Sequence, residues 1–282
     1  MKNLKRLLMV FLLVLVQFSC TRMVFRYIYN SADTFIIRKV DEFFNINDNQ
    51  KAFLKKRLKP ILAWHKETEL QNYIQFLENT SSDLRDGISS AEFDQIVREV
   101  FRFRDNIYMK TIDDSATFLS TLSNAQIKFF EKALRKNLKP LEKKIAMPRQ
   151  ERLEERAEKT IEQVNKWYGS LSDEQEKKIK SISKSSPEWT KNWITFRKKR
   201  QAELLEVLRS HPGQKAIRSE LNEMMLNSQS RATTMKNPRT RKFIADSKKQ
   251  TLEIDALMTQ KQRDHLAQKL SGLAADLRYL QK

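Results

Sequence analysis

Four glycines and six prolines are the only strong punctuators in 282 residues, against the roughly 7% and 5% of ordinary globular chains. A β-sandwich or a doubly wound sheet turns too often to be built from so few. The chain therefore predicts long helices joined by short turns: an all-α fold, an elongated multi-helix bundle or curved helical array of roughly eight helices. The apolar spacing agrees. Phe93, Ile96, Val97, Val100, Phe101, Ile107, Tyr108 and Ile112 recur at three- and four-residue steps, as do Leu153, Ala157, Ile161, Val164 and Tyr168. Helices are expected from about Asp48 to Thr80 with a kink at Pro60, from Asn124 to about Ile145, up to Gly169, and from Gln260 to the C-terminus. Ser186-Pro187, His211-Pro212 and Asn237-Pro238 each read as an N-cap followed by proline at the first helical position.

The first twenty residues follow another grammar. Lys2, Lys5 and Arg6 precede an unbroken apolar run from Leu7 to Val16, and Ser19-Cys20 follows closely. Ten apolar residues are too few to span a bilayer but suit the core of a signal peptide. A small residue before cysteine at this place resembles the bacterial lipobox. That resemblance implies cleavage after residue 19, acyl chains (palmitate among them) on Cys20, and a lipid-anchored helical domain over 20–282 with a soft boundary near Met147-Pro148. Thr21, in place of Asp, implies the outer membrane, with the body in the periplasm. Arg22-Met-Val-Phe-Arg26-Tyr-Ile-Tyr29 begins at once and is too aromatic to act as a flexible leash. It should hold the body near the headgroups, with Arg22 and Arg26 available to lipid phosphates.

Cys20 is the only cysteine, which excludes an intramolecular disulfide, a thiolate zinc site and an iron–sulfur cluster. The formal net charge is +19; losing Lys2, Lys5 and Arg6 with the leader leaves +16. Such a surface favours anionic neighbours, either lipid headgroups or acidic proteins, and an exported chain is not expected to meet nucleic acid.

One pattern recurs: an apolar residue, then Asn, Ser or Thr, two more residues, then Gln. It occurs at Ile46–Gln50, Leu122–Gln126, Leu171–Gln175 and Met258–Gln262, with a Glu version at Ile88–Glu92. Each is a capping box, in which the hydroxyl or amide accepts from the backbone three residues on and the Gln or Glu reaches back. Leu122 with Ile127, and Ile88 with Phe93, add hydrophobic staples. The Leu-Ser/Thr-x-x-Gln units also resemble those of Spy/CpxP-type periplasmic chaperones. The mature chain as a whole resembles an uncharacterised family of Gram-negative bacterial lipoproteins, through Cys20, Tyr29-Asn30, Asn47–Gln50, Trp64–Leu70, the units at Leu122 and Leu171, the Trp189 region with Arg197–Gln201, and Met258–Gln262. The resemblance implies a helical lipoprotein and no catalytic residues.

Two constellations are candidates for function. Trp64-His65-x-x-x-Glu69 puts an imidazole and a carboxylate four apart, on one face of an α-helix, as a metal ligand pair or an acid–base pair would need. A zincin would require His-Glu-x-x-His, which is absent, and a hydrogen-bonded pair beside a core Trp is the plain reading. Arg197, Lys198, Lys199 and Arg200, preceded by Trp189, Trp193 and Phe196 at helical spacing, read either as an aromatic–cationic binding patch or as a solvated flank. The chain has no Gly-rich phosphate loop and no nucleophile elbow. No metal, cofactor or catalysis is expected. The expected role is a membrane-anchored envelope lipoprotein acting by binding, as a scaffold, accessory subunit or holdase-like helper. The alternatives are a metal-dependent hydrolase at His65 and Glu69, or a direct binder of anionic lipid or lipopolysaccharide.

Overall fold

The computed structural model describes residues 22–228 and 238–281; Cys20 lies outside them. The described residues form α1 (Arg22–Asn30), α2 (Ala32–Phe44), α3 (Asp48–Trp64), a π-helical turn (His65–Glu69), α4 (Leu70–Asp83), α5 (Ser90–Ser120), α6 (Asn124–Ala146), α7 (Arg149–Tyr168), α8 (Asp173–Ser185), α9 (Thr190–Arg209), α10 (Gln214–Ser228), α11 (Pro238–Asp255) and α12 (Gln260–Gln281). Among the described residues there is no strand, and no helix is long and apolar enough to cross a membrane. The fold is an all-α multi-helix array.

The division is finer than the roughly eight helices expected. The chain before Asn47 is divided at Ser31 into α1 and α2. Pro60 lies inside α3 without ending it, and a π turn follows α3 at His65–Glu69. Two proline starts are corrected. Ser186 does not cap α9, because it closes α8: its N–H and hydroxyl both donate to the Ile182 carbonyl, and α9 begins at Thr190. His211 takes a left-handed φ of 46° and its N–H turns back to the Leu208 carbonyl, so α10 begins only at Gln214. The third reading holds in that α11 begins at Pro238.

The apolar residues do not gather in one core. Phe118, Leu119, Leu122, Ile127, Phe130, Leu134, Leu205 and Leu208 join α5, α6 and α9, with Phe43 and Phe44 of α2 packed against them. A second cluster gathers Tyr29, Leu70, Tyr73, Ile74, Phe103, Ala274 and Leu277 from α1, α4, α5 and α12. A third joins Val164, Ile179, Ile254 and Met258. Long helices running from one cluster to the next tie these small cores together. Where α12 lies along α4, Ala267 and Ala274 are buried and the Ser81 hydroxyl reaches the Ala267 carbonyl at 2.8 Å and Ser271 at 2.8 Å. Small side chains are what allow such a close approach.

All four N-caps of the Asn/Ser/Thr-x-x-Gln pattern begin helices, and the boxes at Asn47, Ser89, Ser123 and Ser172 are complete. At the fourth Gln unit the Thr259 N–H donates to Gln262 Oε1 at 2.9 Å, and the Gln262 N–H to Thr259 Oγ1 at 3.3 Å. The boxes do more than cap, because the glutamines pair. Gln50 Nε2 donates to Gln126 Oε1 at 3.2 Å and Gln126 Nε2 returns to Gln50 Oε1 at 2.6 Å. Gln175 and Gln262 exchange the same two bonds at 2.9 and 3.0 Å. Each amide also donates to the carbonyl two residues before its partner's N-cap: Gln50 to Thr121, Gln126 to Asn45, Gln175 to Leu257 and Gln262 to Ser170. Each clasp therefore joins two helix N-termini with two-fold pseudosymmetry. It spans 76 residues in one case and 87 in the other. The reciprocal arrangement satisfies the oxygen and the nitrogen of each amide at once.

Candidate functional site

His65 and Glu69 are brought together, but not as an acid–base pair. They bound the π turn, in which the Leu70 N–H reaches the His65 carbonyl. The extra residue in that turn alters the register that an α-helix would give the two side chains. His65 Nδ1 and the Tyr29 hydroxyl lie 2.8 Å apart. Glu69 turns instead to two amides: Asn106 Nδ2 of α5 donates to its Oε1 at 3.0 Å, and Asn72 Nδ2 of α4 at 3.3 Å. Glu69 Oε2 has no hydrogen-bond partner among the described residues. The rings of Trp64 and Tyr73 stand edge-on to His65, at 6.5 and 5.5 Å between centroids, and Lys110 lies over the Trp64 ring at 5.4 Å.

Burial controls the electrostatics. His65 is 6% exposed and Glu69 1% exposed. Desolvation lowers the imidazole from its usual 6.5 to about 4, so it is neutral at neutral pH. Desolvation also raises the Glu69 carboxyl. The amides of Asn106 and Asn72 and the Arg102 charge oppose that rise without cancelling it. The Tyr29 hydroxyl is raised by burial, and that of Tyr73 by burial and the neighbouring carboxylate. A general base must come within about 3 Å of its substrate's proton, and this pair is sealed beneath α1, α4 and α5. Its visible work is to join α1 to the π turn and the π turn to α5. Among the described residues no three His, Cys, Asp or Glu side chains converge as a metal site requires.

Asn72 also lines an open polar cleft of ≈ 300 Å³ between α4 and α5, with Gln75, Asn79, Glu92, Glu99 and Arg102. Tyr29, Asn72, Asn106 and Tyr73 were not singled out as partners from sequence. Only Asn72, three residues from Glu69, carried a local signal.

The basic run of α9 divides by chemistry. Arg200 is buried. Its guanidinium donates to the carbonyls of Glu223 and Met224 at 3.2 and 2.9 Å, close to the end of α10, and lies over the Phe196 ring. Arg197 is buried too. Lys198 pairs with Glu142 of α6 at 2.6 Å, and Lys199 is exposed, 3.9 Å from Glu203. Trp189 donates its Nε1–H to Asp246 and meets Phe243 edge-on. At the other end of the chain, Arg22 begins α1 and the Arg26 guanidinium lies 5.7 Å from the Tyr279 ring centroid. The two groups of candidate residues sit in different clusters of the array.

Such an array, with clasped helix starts and a sealed polar pair, defines a helical protein without an open catalytic constellation among the described residues. The chain belongs to a family of unknown function (DUF6279), whose model matches residues 42–235. No curated protein and no solved structure matches it.

Proposed function

We propose that this chain is a lipid-anchored protein of the bacterial envelope that acts by binding, with Cys20 as the acylated residue and the outer membrane as its site. The observation that carries this reading is the position of α1. Helix begins at Arg22 and, by Tyr29, is already buried against His65 in the second core. Only Thr21 separates the expected anchor from the folded body, so acyl chains at Cys20 would hold the array directly against the headgroups. The surface next to that point suits the place. Tyr27 is 72% exposed and Phe35 43% exposed, and the Arg38 guanidinium lies over the Phe35 ring. Aromatic rings beside arginine belong at a membrane–water boundary.

Binding is favoured over hydrolysis because the His65–Glu69 pair is buried and its two side chains turn to different partners. The Leu-Ser/Thr-x-x-Gln units support a holdase-like role only through their likeness to Spy/CpxP-type repeats, since here all four glutamines are consumed in clasps. Mass spectrometry of the native polypeptide tests the anchor. An acylated Cys20 at the N-terminus is expected; an intact Met1 or an unmodified Cys20 overturns it. Pull-down from envelope extracts and protection of an aggregating client test the binding role, which fails if neither gives a signal.

A further inference from the structure

We infer that the outward face of α6 is a landing surface for anionic lipid headgroups. The inference deepens the anchored reading above and rests on it for the choice of lipid. Its basis is an uneven use of charge. In α7, five basic residues face five acidic ones. In α6, seven basic residues face only Glu131 and Glu142; in α3, five face only Asp48. At +5 and +4, these two helices hold nearly half of the formal +19, and the Gln50–Gln126 clasp fastens their N-termini together.

On α6 the excess is ordered. Ile127, Phe130, Leu134, Leu138 and Leu141 are buried on one side. On the opposite side Lys128, Lys132, Lys136, Lys139 and Lys143 follow at three- and four-residue steps, with Arg135 beside Lys136, all exposed. The row runs about 22 Å at 1.5 Å per residue. Neither acid of α6 serves the lysines of this row: Glu131 is held by Arg209 at 2.7 Å and reached by Arg135 at 3.7 Å, and Glu142 is held by Lys198. Lys128, Lys132, Lys136, Lys139 and Lys143 form no ion pair with a described residue. Like charges one helical turn apart repel, and the chain maintains that repulsion along four turns while neutralising α7 completely. A sheet of phosphates resolves it.

One feature points to a lipid surface rather than a soluble polyanion. Phe129, 40% exposed, stands beside the row where an aromatic ring can enter the headgroup layer.

The test uses the purified chain from residue 21 onward, which contains every helix and core described above and carries no acyl chain. It is sedimented with vesicles of phosphatidylcholine alone or mixed with phosphatidylglycerol. Binding to the mixed vesicles only, weakened by salt, is expected. Joint replacement of Lys128, Lys132, Lys136 and Lys139 by Gln should weaken it about tenfold or more. The same four changed to Arg should retain it. Gln at four exposed lysines elsewhere (Lys177, Lys178, Lys191 and Lys249) should change it less than about threefold. Equal loss in both Gln sets, binding to neutral vesicles, absence of binding, or tighter binding to a soluble acidic polymer of matched charge overturns the assignment. An unmodified Cys20 with row-dependent vesicle binding would remove the anchor and leave the landing surface; an acylated Cys20 without vesicle binding would do the reverse.

Discussion

Replacing Gln126 by Glu separates a capping box from a clasp. In a box alone the change is harmless. The Ser89 box uses Glu92 natively, accepting from the Ser89 N–H at 2.7 Å, and a carboxylate at a helix N-terminus gains up to about 1 kcal/mol from the dipole. In the clasp the same change removes a donor that has two buried duties. Gln126 Nε2 serves Gln50 Oε1 at 2.6 Å and the Asn45 carbonyl at 3.1 Å, and the carboxylate would set oxygen against oxygen at both. Two lost bonds at about 1 kcal/mol each, plus the desolvation of acceptors left without a donor, amount to about 2–4 kcal/mol of destabilisation. The acceptor half survives, since the Ser123 N–H and Gln50 Nε2 still find an oxygen. Urea unfolding followed by circular dichroism reads the difference. Lowering the pH should narrow it, because protonating the introduced carboxylate returns a donor. Gln175→Glu is the replicate, as its amide serves Gln262 and the Leu257 carbonyl at 2.9 and 2.8 Å, and Glu92→Gln is the control. If Gln126→Glu and Glu92→Gln both leave stability within about 0.5 kcal/mol of the native chain, the paired amides hold nothing together.

Three further outcomes follow from buried groups. His65 has a folded pKa of about 4 against 6.5 unfolded. The unfolded chain therefore binds its proton first, and stability should fall as pH drops from about 6.5 towards 4, by at most about 3 kcal/mol; His65→Gln should flatten that limb of a stability–pH curve. Glu69 is raised, so its stabilising contribution is present at low pH and lost as pH rises through its folded pKa. Glu69→Gln, which keeps an oxygen for Asn72 and Asn106, should raise stability at pH 8 by about 1 kcal/mol and change little at pH 4, as thermal melts at the two pH values would show. Gly87 has φ 107°, and a Cβ there would stand 3.0 Å from Asp255 Oδ2 and from the Arg263 guanidinium carbon. Because that carboxylate also holds the Ile88 N–H and the Tyr168 hydroxyl, Gly87→Ala should cost about 1–3 kcal/mol, read as a lowered melting temperature.

The fold was legible where its causes are local. The dearth of turn-formers predicted helices, the capping boxes located their starts at 48, 90, 124, 173 and 260, and Gly169 marked the end of α7. The misreadings at Ser186 and His211 share one cause. Both residues were still closing the preceding helix through their own N–H groups, and a proline motif does not record which neighbour claims the residue before it. Nothing local announced the clasps. Each box is complete in five residues, but the matching of 47 with 123 and of 172 with 259 depends on which helix ends tertiary packing brings together. The π turn was equally hidden, and with it the fate of His65 and Glu69. An i, i+4 spacing on an α-helix implies a shared face, and one inserted residue is enough to send the imidazole to Tyr29 and the carboxylate to Asn106.

The basic excess was visible from composition, and its meaning was not, because counting Lys with Arg hides a division of labour. Several arginines serve inside the array at helix ends. Arg152 donates to the carbonyls of Ile145 and Met147 across the turn at Met147-Pro148, Arg156 to those of Ser183 and Ser186 after α8, Arg200 to Glu223 and Met224, and Arg263 to Asp255. A planar fork with several donors can satisfy two carbonyls at once and tolerates burial, which an ammonium does poorly. Most lysines stay nearer the surface, although Lys269 donates to the Lys166 carbonyl. Where they meet acids, as Lys180 and Lys184 meet Glu154, they neutralise a surface; where they do not, as along α6, they leave it charged. Within the Arg197–Arg200 run, Arg197 and Arg200 are buried and Lys198 and Lys199 are exposed. The uncompensated lysines of α6 are spaced three and four apart and interrupted by core residues, so they never form a run in the sequence and become one only on a helix.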